Sequence, residues 1–452
     1  MSLTKRDGFS GKFGVIAAAA GSAVGLGNIW RFPYVTGENG GGAFLLIYLL
    51  AVVLLGIPVI LSEFVIGRKS QSNALGAFRK LSPGKPWWLI GLMGIVAAFV
   101  ILSFYSTVAG WTLEYIIQSI TGGFHNKSSA ELAADFNNFT ASSFRPLLWQ
   151  LIFMLLTAWI VFSGIQKGIE KYTKILMPLL LIMIIVVCIR SLSLEGSYEG
   201  VKFLFKPDFS KITTQTVLLA LGQAAFSLSI GMGALITYGS YIRKDTPMLR
   251  VSTEVAFADT LIAVLAGVMI FPALFALGES PAGGPGLVFI TLPKLFEAMP
   301  AGEFFAVMFF VLLAVAALTS TISVLEVVVA YLAEEKKMSR KKATIIGTIS
   351  ISIIGVFCTL SFGPLKDFKI FDKTVFDLMN YISANILLTF GALFIVIYTG
   401  WILKKQSFFE ELKISEKIHP ILANILFFLI KYFAPIAIGA IAIGAFFIEG
   451  LT

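Results

Sequence analysis

The sequence predicts an all-α polytopic membrane protein of eleven transmembrane helices, ten of them arranged as two inverted halves of five. Three observations carry this. Of the 452 residues, 57% are hydrophobic and only 13% are charged, and the mean hydropathy is +0.88. Apolar runs of roughly 20 residues, long enough to cross a bilayer, recur along the chain. Two of these runs, five spans apart, are interrupted by glycines and polar residues.

The first run, 14–36, starts with the apolar stretch Gly14–Ala20. It then carries Gly21, Gly25 and Gly27, followed by Asn28, Arg31 and Pro33. Glycine weakens a helix, and proline disfavours helical geometry in the residue before it. In lipid an unwound backbone persists only where protein buries it or where it lines a cavity. Glycines alone also suit a close helix contact, but Asn28 and Arg31 in the same stretch point to a transport site. Lys5, Arg6 and Lys12 ahead of AAAAGSA superficially fit a cleaved signal peptide. Continuation of the run into GLGNIWRFP favours a membrane span.

The remaining runs lie near 43–66, 88–119, 147–164, 172–192, 216–241, 252–277, 303–333, 343–361, 375–403 and 420–448. Span six carries Gln223, Ser227, Ser229, Gly231 and Gly233, which predicts a second break at SLSIGMG. Because spans one and six enter from opposite sides, the two breaks fit inverted repeats of a secondary transporter. The repeats cover about 14–192 and 216–403 of a single transmembrane domain, 1–450, with the extra helix 420–448 outside them. Residues 278–302 mix Gly/Pro turns with the short ITLPKLF, which predicts a hairpin over the outer mouth.

Lysine and arginine set the orientation. Clusters before span one and after spans two, four, six, eight and ten all fall on one side, which the positive-inside rule makes cytoplasmic. The N-terminus is therefore expected inside the cell membrane and the C-terminus outside. The net charge of +9 reflects these loops, and no nucleic-acid partner is expected. Cys188 and Cys358 sit in apolar runs and imply no disulfide framework. Two histidines, neither near another ligand type, make a transition-metal site improbable. No nucleophile–base pair or phosphate-cradling motif points to an enzyme. A break in each of two helices frees N–H groups for an anion and carbonyls for a hard cation. A zwitterionic amino acid beside a sodium ion uses both.

GSAVGLGNIWRFPY and ENGGGAFLLIY in the first two spans resemble the neurotransmitter:sodium symporter family, its bacterial amino-acid transporter branch in particular. GWTLEY in span three, GQAAFSLSIGMGALITYGSY in span six and LTSTIS in span eight extend the resemblance over roughly residues 5–405. It implies the LeuT-like five-plus-five inverted-repeat fold and two sodium sites. The first would use the Ala23 carbonyl, Asn28, Ser227 and Asp259 with the substrate carboxylate. The second would use carbonyls of Gly21, Val24 and Ala316 and the hydroxyls of Thr319 and Ser320. Taken alone, the hydroxyls at 319–321 fit bonding back to their own helix at least as well.

By the same resemblance, the substrate carboxylate would meet the N–H groups of Leu26 and Gly27 and the Tyr105 hydroxyl. The amino group would meet carbonyls near Ala23, Phe226 and Ser227. Ile101, Val108, Phe226, Ser229, Met232, Ser320 and Val324 would surround the side chain, so the expected partner is a hydrophobic L-amino acid. Arg31, Phe226 and Tyr105 would close the outside; Arg6 with Glu334, and Phe9 with Tyr241, the inside. The acidic partner that the family pattern places in span ten is Asn380 here, with Asp377 nearly one turn earlier. Glu63 and Glu326 are further intramembrane acids that need partners; Glu63 is expected to support the break in span six. Chloride-dependent members carry Asn at the position of Asp259, and a Ser one turn later where this chain has Ala263. The resemblance therefore implies chloride-independent sodium symport of hydrophobic amino acids. A sodium-independent or proton-coupled exchanger and a transport-deficient sensor remain alternatives, and the sequence sets no oligomeric state.

Overall fold

The structure is a computed structural model that describes residues 8–279, 287–413 and 418–447. Nine helices are long and apolar enough to cross a membrane among the described residues: Gly42–Ser70, Trp88–Ile120, Arg145–Phe162, Ile165–Leu192, Met248–Ala276, Gly302–Glu334, Arg340–Leu360, Val375–Ile402 and Pro420–Ala445. The pair Lys12–Ala23 and Gly27–Glu38, bent by 51°, makes a tenth. The expected sixth span is split into Thr214–Ser227 and Ala234–Gly239, each too short to cross alone.

Local chemistry accounts for where the elements begin and turn. Span six starts on a Thr213–Thr216 capping box, in which each side chain satisfies a backbone N–H that the helix leaves open. Asn73 caps the short helix Ala74–Leu81 through the N–H groups of Leu75 and Gly76. That helix links spans two and three. Gly41 (φ 60°) turns the chain between spans one and two, where a Cβ would meet the Phe203 carbonyl at 2.3 Å.

The core is a wall of long helices around the broken pair. Spans three and eight pack along their lengths, and the first half of span one lies against spans five, seven and eight. Ala17, Ala18, Ala19 and Ala20 are buried there, their small side chains letting neighbouring backbones approach. Outside the spans lies 278–302, the stretch expected to form a hairpin. It contains the helix Thr291–Glu297, whose Leu292, Leu295 and Phe296 are buried; residues 280–286 lie outside the described residues. Phe289 packs edge-on against Trp111 at 5.7 Å and stacks with Phe136 at the same separation. Aromatic contacts of this geometry add to simple burial and pin the segment to span three.

Candidate functional site

Both helix breaks lie where the sequence places them, and each is held by side chains from other spans. At the first, Val24 is extended (φ −69°, ψ 111°), which takes the carbonyls before it out of the helical ladder. They are not left bare. The Ser22 carbonyl accepts from Ser229 Oγ at 2.9 Å, and the Val24 carbonyl from Ser320 Oγ at 3.1 Å. At the second break, Ser229, Gly231 and Gly233 take φ values of 54°, 90° and 75°, a conformation that glycine alone adopts without penalty. The Gly231 N–H donates to buried Glu63 Oε1 at 2.7 Å, so Glu63 braces this break as expected.

Two clusters of oxygen atoms flank the breaks. In the first, Asp259 is fully buried and accepts from Asn28 Nδ2 at 2.7 Å, Ser227 Oγ at 2.7 Å and the Tyr48 hydroxyl at 3.3 Å. A buried carboxylate loses several kcal/mol of hydration, and three donors offset part of that loss. Asn28 Oδ1 accepts from the Gly25 N–H at 3.1 Å, which ties the cluster to the first break. In the second cluster, Thr319 Oγ1 lies 3.0 Å from the Ala316 carbonyl and 3.4 Å from that of Val24. Gly21 lies against it, for a Cβ there would stand 3.2 Å from Thr319 Cβ. Thr319 thus bonds back to its own helix and also faces span one. Thr321 does not share this site: it turns away to Thr157 Oγ1 at 2.9 Å. Both clusters offer oxygen donors only, the set that a hard cation takes; one carries a carboxylate and the other is neutral.

Between the clusters is a cavity lined by Ala23, Gly25, Gly27, Ile101, Tyr105, Phe226, Ser227, Ser229, Met232, Ser320 and Val324, together with Leu102, Phe104 and Leu388. Leu26 contributes its N–H, which donates to the Tyr105 hydroxyl at 3.0 Å. Val108 is buried but does not line the cavity. The fit at the glycines is tight. A Cβ on Gly25 would stand 2.4 Å from Ser320 Oγ and 2.9 Å from the Tyr105 hydroxyl, and one on Gly27 would stand 3.1 Å from the Phe226 ring.

On the side of the cavity towards the second half of span one, Arg31 differs from expectation. Neither Asp377 nor Asn380 reaches it. Its guanidinium donates to Gln223 Oε1 at 3.1 Å and lies 4.8 Å from the Phe226 ring centroid. Asp377 is exposed and instead accepts from Thr374 Oγ1 at 2.6 Å, capping its own helix. Asn380 is exposed as well. On the opposite side, Phe9 meets Tyr241 edge-on at 6.1 Å and Tyr238 at 5.6 Å. Glu334 accepts from the Asn73 N–H at 2.8 Å and its side-chain amide at 3.0 Å; Arg6 lies outside the described residues. Buried Glu326, for which the sequence offered no partner, accepts from the Tyr241 hydroxyl at 2.7 Å and from Arg340 at 2.5 Å.

Tyr48, Gln223 and Leu388 are site residues that the sequence reading did not single out as such. Tyr48 is a polar group inside an otherwise apolar span and Gln223 stands one turn before the break, so both carried a signal. Leu388 carried none.

The sequence model of the sodium:neurotransmitter symporter family matches residues 6–130 and 123–449. The chain belongs to the sodium:neurotransmitter symporter family. As a member it is a sodium-dependent, multi-pass membrane transporter and not an enzyme. Its curated relatives include the sodium-dependent transporter YhdH of Bacillus subtilis, 40% identical over 97% of both chains. The human sodium- and chloride-dependent GABA transporter 2 is 26% identical over 90% of this chain and 75% of its own. Among solved structures, MhsT in complex with L-phenylalanine is 46% identical with a TM-score of 0.89, covering 98% of this chain and all of that one. The symporter's fold is thus the LeuT-like one that the two breaks imply.

Proposed function

We propose that the chain imports hydrophobic L-amino acids, aliphatic and aromatic, by alternating access, coupled to two sodium ions and independent of chloride. One observation carries this reading. The cavity at the helix breaks is lined by no charged side chain, while an acid, Asp259, stands in the oxygen cluster beside it. A substrate that binds there must bring its own charges and find an apolar wall for its side chain. Likeness to MhsT, whose structure holds L-phenylalanine, supports the same substrate class.

The residues divide the work as follows. The N–H groups of Leu26 and Gly27 meet the substrate carboxylate. The Tyr105 hydroxyl, whose oxygen already accepts from Leu26, gives it a proton bond. Carbonyls near Ala23, Phe226 and Ser227 take the amino group, and Ile101, Phe226, Met232 and Val324 enclose the side chain. Sodium, as co-substrate, occupies both oxygen clusters: Ala23, Asn28, Ser227 and Asp259 form one, and Gly21, Val24, Ala316, Thr319 and Ser320 the other. Arg31 with Phe226 and Tyr105 closes the outer side, and Phe9, Tyr241, Glu334 and Arg6 the inner. The N-terminus lies in the cytoplasm and the C-terminus outside the cell membrane, an orientation the basic loops support. The ten-span repeat, 14–192 with 216–403, forms one domain with span eleven.

Uptake of radiolabelled leucine and phenylalanine into proteoliposomes, with and without an inward sodium gradient, tests the proposal. Accumulation that collapses without the gradient supports it. Exchange without sodium would transfer the chain to the exchanger reading, and sodium-dependent binding without accumulation to the sensor reading.

A further inference from the structure

Where spans ten and eleven meet, two lysines stand in a wall of aromatic rings. Trp401, at the end of span ten, donates its indole N–H to the Lys431 carbonyl at 3.0 Å, which sets Lys431 of span eleven level with that end. Lys431 Nζ lies 4.6 Å from the Trp401 ring centroid and 5.4 Å from that of Tyr432. Lys405, the first residue of the helix Lys405–Lys413, lies 5.3 Å from the Phe409 ring centroid and 5.5 Å from that of Phe427. Phe427 stands one helical turn before Lys431, so the two cations share a face. The nearby acids are engaged elsewhere: Glu410 accepts from Gln406 at 3.0 Å and Glu411 from buried Arg68 at 3.0 Å. Among the described residues no carboxylate comes within ion-pair distance of either lysine. Trp401, Tyr432, Ile436 and Ile443 are exposed, so this side of the two spans is turned to lipid.

We infer that this face binds the headgroup of an anionic phospholipid, with its phosphate between Lys405 and Lys431 and its acyl chains along Ile436 and Ile443. A cation in a lipid-facing wall is costly unless an anion meets it, and aromatic faces offset only part of that cost. Charge complementarity decides the occupant. A zwitterionic lipid brings a choline that two lysines repel, whereas an anionic lipid brings an uncompensated phosphate that each nearby lysine attracts. Free phosphate offers the same oxygens but no chains for the exposed isoleucines. The bound lipid joins span eleven to the helix Lys405–Lys413, which Arg68 in turn holds to span two through Glu411. The site is independent of the substrate assigned above.

The test uses the full chain in nanodiscs of equal parts phosphatidylglycerol and phosphatidylcholine. Native mass spectrometry after gentle detergent release counts the lipids that stay bound. The parent should retain phosphatidylglycerol about tenfold over phosphatidylcholine. Lys405→Gln and Lys431→Met should each lower that ratio about fivefold, and excess inorganic phosphate should leave it unchanged. Lys405 is exposed, so its variant reports even if Lys431→Met fails to fold. Lys342→Gln, on an exposed lysine at the start of span nine, is the control and should match the parent. Equal retention of the two lipids, an unchanged ratio in both variants, an equal fall in the control, or displacement by inorganic phosphate would overturn the inference.

Discussion

Asn28 holds Asp259 at two atoms: its side-chain amide donates to the Asp259 carboxylate at 2.7 Å and to the Asp259 carbonyl at 3.0 Å. The bond joins the first broken helix to span seven. It fixes an acid beside the cavity, in the oxygen cluster proposed to take sodium.

Chloride independence is expected from that acid. A fixed carboxylate supplies the negative charge that a neutral residue would have to borrow from a bound anion. Replacement of chloride by gluconate should leave sodium-driven uptake intact. Asp259→Asn should weaken sodium-dependent binding at least tenfold, the effect of about 1.4 kcal/mol lost from a charge-assisted contact. Adding Ala263→Ser to Asp259→Asn is expected to restore binding in chloride but not in gluconate. Loss of parent uptake in gluconate would sink the argument at its first step.

Gly25 sets a second expectation. No side chain fits there, because Ser320 Oγ and the Tyr105 hydroxyl fill the space. The protein therefore supplies no carboxylate at that position, and on the proposed function the substrate brings its own. Tryptamine is expected to compete with labelled phenylalanine at least tenfold less well than tryptophan, since it loses the bonds to the Leu26 and Gly27 N–H groups. Competition binding at fixed sodium measures it; equal potency of the amine and the amino acid would contradict carboxylate recognition.

Glu326 and Arg340 predict a stability effect. Glu326 is fully buried and Arg340 is 27% exposed at its side chain, so removing one partner strands a charge that water reaches only in part. Glu326→Ala should cost towards the lower end of about 3–5 kcal/mol, read as a fall in thermal midpoint. Glu326→Gln keeps an acceptor for the Tyr241 hydroxyl and should fall less. A double-mutant cycle with Arg340→Met gives the coupling; additive losses would show that the pair does not act as one.

On the side of the cavity that carries Phe9 and Tyr241, Glu334 ties span eight to the cap residue Asn73 of the helix that follows span two. A ligand-free population should shift towards the inward-open form when that tie is cut, by no more than its net worth. For a partly exposed carboxylate that is about 1 kcal/mol, or several-fold in the equilibrium. Labelling of a cysteine placed below Tyr241 should therefore speed up several-fold in Glu334→Ala, and Arg6→Ala should act the same way. Unchanged labelling in both variants would dismiss the gate.

How much of this was legible beforehand varies with the physics involved. The positions of both breaks follow from hydropathy and from glycines beside polar groups, because in lipid an unwound backbone persists only where it is buried or lines a cavity. The two oxygen clusters needed the family resemblance. Thr319 bonds its own helix and faces span one at once, and only the packing of spans one and eight separates those roles from the neighbouring Thr321. The partner of Arg31 was misplaced for a related reason. Asp377 has the right charge, but it stands three residues after Thr374 at a helix start, and the cap takes its carboxylate. Glu326 could not be paired in advance, since Arg340 reaches it from the next span. Leu388 enters the cavity wall through the wide helical turn Ile382–Leu388, whose extra residue defeats counting at ordinary helical spacing.

If Arg31 closes the outer side as proposed, its contact with Gln223 makes that closure indifferent to its surroundings. A carboxamide neither gains nor loses a proton anywhere in the range a cell encounters, and with only one charge in the contact there is little for salt to screen. External acid or brine is expected to leave this contact as it was. An acidic limb in the uptake profile would then have to arise somewhere other than at this contact.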